Sequence, residues 1–262
     1  MLATLTAIFF IFGLIIGSFL NVVILRYNTA RTFGGRSACM SCQNTLSWHE
    51  LIPLLSFVIL GGRCKNCQTK ISWQYPAVEL LTGVIFALLF LKFQDIFFLY
   101  TLPFALTYAY YGAAFSLLIV VAVYDLKHKI IPDMLAFIFG ILAFLGLFFF
   151  TSYGFYPHLP GLWDFLAGPL IAFPFAAIWF LSRGTWMGLG DAKLAVGLGW
   201  LLGLSRGLSG VVVAFWSGAV LGALLIALTK KYGMKSEIPF APFLVLGAVI
   251  AFLFELHLFP IF

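Results

Sequence analysis

Apolar runs of bilayer length constrain this chain more than any other feature. A helix needs roughly 17 to 25 apolar residues to cross a membrane. Eight segments read this way: residues 3–25, 77–91, 97–124, 134–151, 164–182, 193–204, 209–229 and 240–258. The second and sixth are short and must borrow length from their flanks or tilt little. With 63% hydrophobic and 9% charged residues among 262, the chain carries more apolar surface than a soluble domain of that length can hide. The expected fold class is an all-α polytopic membrane protein of about eight transmembrane helices. The first run lacks the positive start of a signal peptide and is longer than the core of one, so it reads as a retained helix.

The formal net charge of +6 suggests nucleic acid until the charges are placed. Arg26, Arg31, Arg36, Arg63, Lys65 and Lys70 share one loop, and Lys127, Lys129, Arg183, Lys193, Lys230, Lys231 and Lys235 fall in loops on the same side. Only Lys92 and Arg206 fall opposite. This is the positive-inside pattern, which puts the basic side in the cytosol and both termini outside. Membrane lipid is the expected partner, and nucleic acid is not.

The chain divides into a first helix over residues 1–25, a hydrophilic cytosolic subdomain over 26–75 and a membrane bundle of about seven helices over 76–262. All four cysteines lie in the subdomain, as Cys39-x-x-Cys42 and Cys64-x-x-Cys67. Two such knuckles can set four thiolates tetrahedrally around one Zn²⁺ in a closed, structural site. Gly61, Gly62 and Asn66 are the expected turn residues. Disulfides are the alternative, disfavoured by a cytosolic setting. Residues 51–60 are apolar but too short to span; they are either a packing face of the subdomain or a segment lying on the membrane surface. No internal repeat is evident.

Most of the nine acids fall in loops or near helix ends. Asp95 and Asp164 belong to short outer loops, Asp133 and Glu237 to cytosolic ones. Asp125 and Asp191 differ. Asp125 closes the run LLIVVAVYD, and Asp191 follows Gly188-Leu189-Gly190 where the sixth helix begins, so the two lie at one depth at the cytosolic end of the bundle. Two carboxylates at one level can share a proton, one acting as base towards water and the other as acid towards a scissile carbonyl. Gly188 and Gly190 would let an extended substrate strand approach the backbone. Taken singly, Asp191 could cap its helix and Asp125 could pair with Lys127 or Lys129. Glu79, a few residues into the second helix, is costly there: it either hydrogen-bonds another helix or Asn21, or it serves chemistry.

These residues resemble those of the type IV prepilin peptidases, of the GxGD aspartic protease group. The resemblance rests on Gly17-Ser18-Phe19-Leu20-Asn21-Val22, the two knuckles, Tyr75-Pro76 through Glu79-Leu80, Asp125 to Pro132, Gly188 to Lys193, and Pro239-Phe240-Ala241-Pro242-Phe243. It implies an aspartic endopeptidase of the bacterial inner membrane in which Asp125 and Asp191 cleave the basic leader from prepilins and pseudopilins, with Gly188, Gly190 and Lys193 in support. It also implies N-methylation of the new terminus with S-adenosylmethionine as donor, for which Glu79 and Lys70 are the candidate residues. Gln74 stands where the family often has Arg, while the retained knuckles favour the two-activity form. Presenilin-like proteases share a Tyr-Asp pair and a GxGD element but not the cysteine subdomain. A transporter would place its acids at the bilayer midplane, and a scaffold would need neither acid. The residues name neither the particular pilins nor an oligomeric state.

Overall fold

The computed structural model describes residues 1–29, 32–151, 153–228 and 237–258. Arg31, Lys230, Lys231 and Lys235, which enter the charge pattern above, lie outside the described residues. The chain forms two compact units, Met1–Gln94 and Asp95–Phe262.

The first unit is built on α1 (Leu2–Arg26), a 3₁₀ turn (Trp48–Leu51), the short α2 (Leu55–Ile59) and most of α3 (Gln74–Leu99). Small residues let α1 and α3 touch along their backbones. A Cβ on Gly13 would lie 2.8 Å from Gly83 Cα, and one on Gly17 would lie 2.8 Å from Glu79 Cα. Gly13 and Gly17 thus form the small-xxx-small seam by which apolar helices pack without a hydrophobic driving force. Phe9 stacks on Phe90 at 4.5 Å at one end of this seam. At the other, Asn21 Nδ2 donates to Tyr75 O at 3.1 Å.

The second unit holds α4 (Thr101–His128), α5 (Asp133–Gly146), a hairpin of β1 (Phe150–Thr151) and β2 (Gly154–Phe155), α6 (Leu162–Ser182), α7 (Leu189–Leu202), α8 (Leu204–Leu228) and α9 (Ala241–Leu253). The middle of α4 is buried on every side, with Leu118, Ile119, Val120 and Val121 at 2% exposure or less, as expected of a helix apolar all round. The short α7 is enclosed as tightly: a Cβ on Gly197 would meet Phe139, and one on Gly199 would meet the backbone of Ala167 and Gly168.

Each of the eight apolar runs contains a helix, but among the described residues five helices (α1, α3, α4, α6 and α8) are long and apolar enough to cross a membrane. The 13 or 14 residues of α5, α7 and α9 give helices of about 20 Å, short of a hydrocarbon core of about 30 Å. Several expected boundaries are corrected. The second span, expected at 77–91, runs to Leu99 across a kink at Phe93, so Lys92 and Asp95 lie on helical stretches either side of that kink. The run expected at 134–151 ends as a helix at Gly146, because Phe150 and Thr151 pair with the next strand. Asp133 and Asp164 are first-turn helix residues rather than loop residues, and Asp164 Oδ2 accepts the Gly161 N–H at 2.8 Å.

Candidate functional site

Asp125 stands in the last turn of α4 and is 5% exposed. Its helix ends at Lys129, whose left-handed backbone (φ 55°) lets its N–H close on Asp125 O at 2.7 Å. The carboxylate turns away from the neighbouring lysines: Oδ2 accepts the backbone N–H of Ala241 at 3.1 Å. Ala241 opens α9, and the prolines at 239 and 242 force the helix to start there, leaving first-turn N–H groups without intrahelical partners. Lys129 instead meets Glu237, 3.9 Å away on the surface.

Asp191 is the third residue of α7 and is 8% exposed. Gly188 is the N-cap and has no side chain to cap with. The Asp191 carboxylate faces back towards the N–H of Gly188, the N-cap of its own helix. In that position it lies within the field of the Asp125 carboxylate. The structure therefore brings the two acids together although 65 intervening residues separate them in sequence.

The flanking residues divide by role. Lys193 is paired with Asp133 at 2.7 Å, which ties the start of α7 to the start of α5. A Cβ on Gly190 would lie 2.8 Å from Ile131 Cβ, so that space belongs to the α4–α5 connection. Around Gly188 the nearest atoms would be 3.8 Å and 3.9 Å away. Sequence reasoning passed over Ile131 and the Ala241 N–H. A backbone donor leaves no side-chain signature, and its one outward sign was Pro242.

In the first unit, Glu79 is 7% exposed. Its Oε2 accepts the Leu54 N–H at 2.9 Å, and the Ser18 hydroxyl faces the carboxylate. Asn21 Nδ2 faces two carbonyls, Gly17 O and Tyr75 O. Lys70 is exposed on the second knuckle, where its backbone pairs with Arg63; no hydrogen bond or ion pair joins it to Glu79.

The four cysteine Sγ atoms lie within 4.8 Å of one another, with Cys39 and Cys67 at 3.8 Å. Four sulfurs around a tetrahedral Zn²⁺ at about 2.3 Å stand roughly 3.8 Å apart, so the donor set fits that ion and the spacing is far from a disulfide. The two knuckles are built alike. Cys39 N–H donates to Asn44 O and Cys64 N–H to Thr69 O; Gln43 and Gln68 return N–H groups to Cys39 O and Cys64 O. The left-handed turn residues are Gln43 (φ 58°) and Gln68 (φ 57°), in place of the expected Asn66, while Gly61 and Gly62 do take positive φ after α2. The Thr69 hydroxyl and N–H draw the Cys67 thiol down to about 6. The Asn44 N–H also draws Cys42 down, but burial and the three neighbouring sulfurs together push it up to about 11. Four sulfur donors at this spacing could hold one cation among them.

Comparison with known proteins agrees with this layout. Residues 11–93 match the bacterial peptidase A24 N-terminal domain, and residues 112–227 match the type IV leader peptidase family. A prepilin leader peptidase/N-methyltransferase of Bacillus subtilis is 34% identical, over 95% of this chain and 94% of that protein. One of Neisseria gonorrhoeae is 31% identical, over 92% and 88%. A type 4 prepilin-like proteins leader peptide-processing enzyme of Escherichia coli is 34% identical, over 90% and 89%. No solved structure matches the chain. With four thiols gathered in its first unit, two acids gathered in its second, and relatives aligned along nearly its whole length, the chain belongs to the type IV leader peptidase family of prepilin peptidases.

Proposed function

We propose that this chain is an aspartic endopeptidase of the bacterial inner membrane, which removes the basic leader from prepilins or pseudopilins at the cytosolic face. The observation that carries the reading is the meeting of two buried carboxylates, Asp125 and Asp191, at the ends of α4 and α7. One carboxylate takes a proton from a water whose oxygen attacks the scissile carbonyl carbon. The other carboxyl gives its proton to the carbonyl oxygen. Collapse of the tetrahedral intermediate breaks the C–N bond as the amine nitrogen takes up a proton, and the two acids again hold one proton between them. The Ala241 N–H holds the Asp125 carboxylate and the Gly188 N–H faces that of Asp191, Ile131 packed on Gly190 keeps the end of α4 beside the start of α7, and the Lys193–Asp133 pair steadies that start. Open backbone for a substrate strand rests on Gly188. In this reading all eight long apolar segments cross the membrane, α5, α7 and α9 as short members of the bundle.

The second activity is N-methylation of the amine so exposed. S-adenosylmethionine supplies an electrophilic methyl group when bound. The amine must shed a proton to accept that methyl, and we assign Glu79 to hold it, with Lys70 as a cation for the donor's carboxylate. Cys39, Cys42, Cys64 and Cys67 would hold a structural Zn²⁺.

The test is cleavage of a prepilin-like substrate in liposomes by wild type, Asp125→Asn and Asp191→Asn, with S-adenosylmethionine present and products weighed by mass spectrometry. Each folded variant is expected to lose about 10²- to 10⁴-fold in rate, the usual worth of a general acid or base. Cleavage at the wild-type rate by either variant removes that residue from the mechanism, and an unmethylated wild-type product removes the second activity.

A further inference from the structure

The stretch from Trp48 to Leu60 concentrates exposed apolar side chains on the subdomain. Trp48, Leu51, Leu55, Val58, Ile59 and the nearby Trp73 are exposed, from 40% for Leu51 to 78% for Trp48. On a water-facing loop this would be a costly patch. Its depth relative to the two flanking helices gives a different account.

Two tethers set that depth. Leu54 N–H donates to Glu79, which lies five residues inside α3, about 7.5 Å along its axis from Gln74. Ser18, which faces the same carboxylate, lies eight residues inside the end of α1, about 12 Å from Arg26. The backbone at Leu54 therefore sits below the level at which both helices emerge. The Phe57 ring meets Trp73, the residue just before α3, at 4.9 Å, which holds α2 at the level of the helix start.

The backbone between the 3₁₀ turn and α2 is shaped for such a dip. Leu54 has φ 58° and ψ −47°, and Leu55 N–H donates to Pro53 O at 2.6 Å: a tight three-residue reversal of a kind that is rare and strained. The turn points the Leu54 N–H at Glu79. Ser56, Val58 and Leu60 return their N–H groups to Ile52, Leu54 and Ser56. Non-helical backbone survives at membrane depth only when its polar groups are satisfied by protein, and here Leu54, Leu55, Ser56, Val58 and Leu60 all give their N–H groups to protein acceptors. Exposed Arg63, Lys65 and Lys70 follow directly, where anionic headgroups would attract them.

From this geometry we infer that residues 48–60 form a shallow interfacial segment, dipping into the headgroup and acyl boundary on the side where α1 ends and α3 begins. Trp48, Leu55, Val58 and Ile59 lie in lipid, and the knuckle that follows rests on anionic headgroups. The inference needs α1 and α3 to cross the membrane and is independent of the peptidase reading. Depths of about 5 to 10 Å are typical of amphipathic segments that lie in an interface.

The test uses the full chain in nanodiscs containing phosphatidylglycerol, with a nitroxide amino acid placed at Val58 or Ile59 by genetic encoding so that the four cysteines remain. Controls carry it at Ile11, within α1, and at Lys65. Power-saturation EPR compares access to oxygen, which partitions into lipid, with access to a water-soluble nickel chelate. The expected result is oxygen access at 58 and 59 approaching that at Ile11, with nickel access several-fold below that at Lys65. Nickel access equal to Lys65 overturns the inference, as does poor access to both reagents, which means that protein covers the site. A second measurement needs no label: brominated lipid should quench the emission of wild type more than that of Trp48→Phe, and equal quenching counts against the inference.

Discussion

Gly17 and Gly190 each stand where one methyl group has no room. At Gly17 the obstacle is the α3 backbone, so Gly17→Val should push α1 from α3 and cost about 1–3 kcal/mol, the usual range for overpacking. A drop in thermal midpoint in detergent, with the chain still inserted, is the measurement. Gly190→Ala meets Ile131 and should cost a similar amount, and Ile131→Ala combined with it should recover part of the loss, because the cavity and the added methyl offset each other. An additive double variant would mean that the two do not press on each other. Asp191 is a harder case, since it also faces the N-cap of α7. Its Asn variant retains a side-chain oxygen able to accept the Gly188 N–H, which makes Asn the better probe of chemistry and Ala the better probe of the cap.

The cysteine knuckles and the helices behave differently as elements. Removal of metal by a strong chelator, or Cys64→Ser, should open residues 38–70 to protease while the long apolar helices stay inserted, because few of the knuckles' bonds reach beyond the cluster. Unchanged protease resistance after verified loss of metal would show that the hydrogen bonds alone hold the fold. Apolar length made the helices legible in the sequence, and cysteine spacing made the thiol cluster legible. Helix ends were less so. Lys92 and Asp95 look like a loop yet ride the last turns of α3, since a helix leaving the membrane can keep its backbone bonds in water. Phe150 and Thr151 look like membrane and are a strand, because apolar residues serve a short half-buried hairpin equally well. The dip at Leu54 was beyond reach, for it depends on a bond between residues 25 positions apart.

Across the whole molecule the thiols and the paired acids fall in different units, Met1–Gln94 and Asp95–Phe262. If the proposed division of labour holds, Cys39→Ser should reduce methylation severalfold while leader removal stays within about 2-fold, read from the ratio of methylated to unmethylated mature product. Equal loss of both would make the first unit necessary to the peptidase. The acid pair could be found in the sequence because two carboxylates at one membrane depth are expensive and therefore informative; what holds each of them is backbone, which the sequence does not advertise. The two knuckles carry a lesson of another sort. Residues 38–45 and 63–70 follow one backbone plan at an offset of 25 residues, yet share only Cys, Cys and Gln. The plan thus fixes two sulfurs and one left-handed residue in each knuckle and leaves its other five positions open. Either copy should therefore be able to stand in for the other.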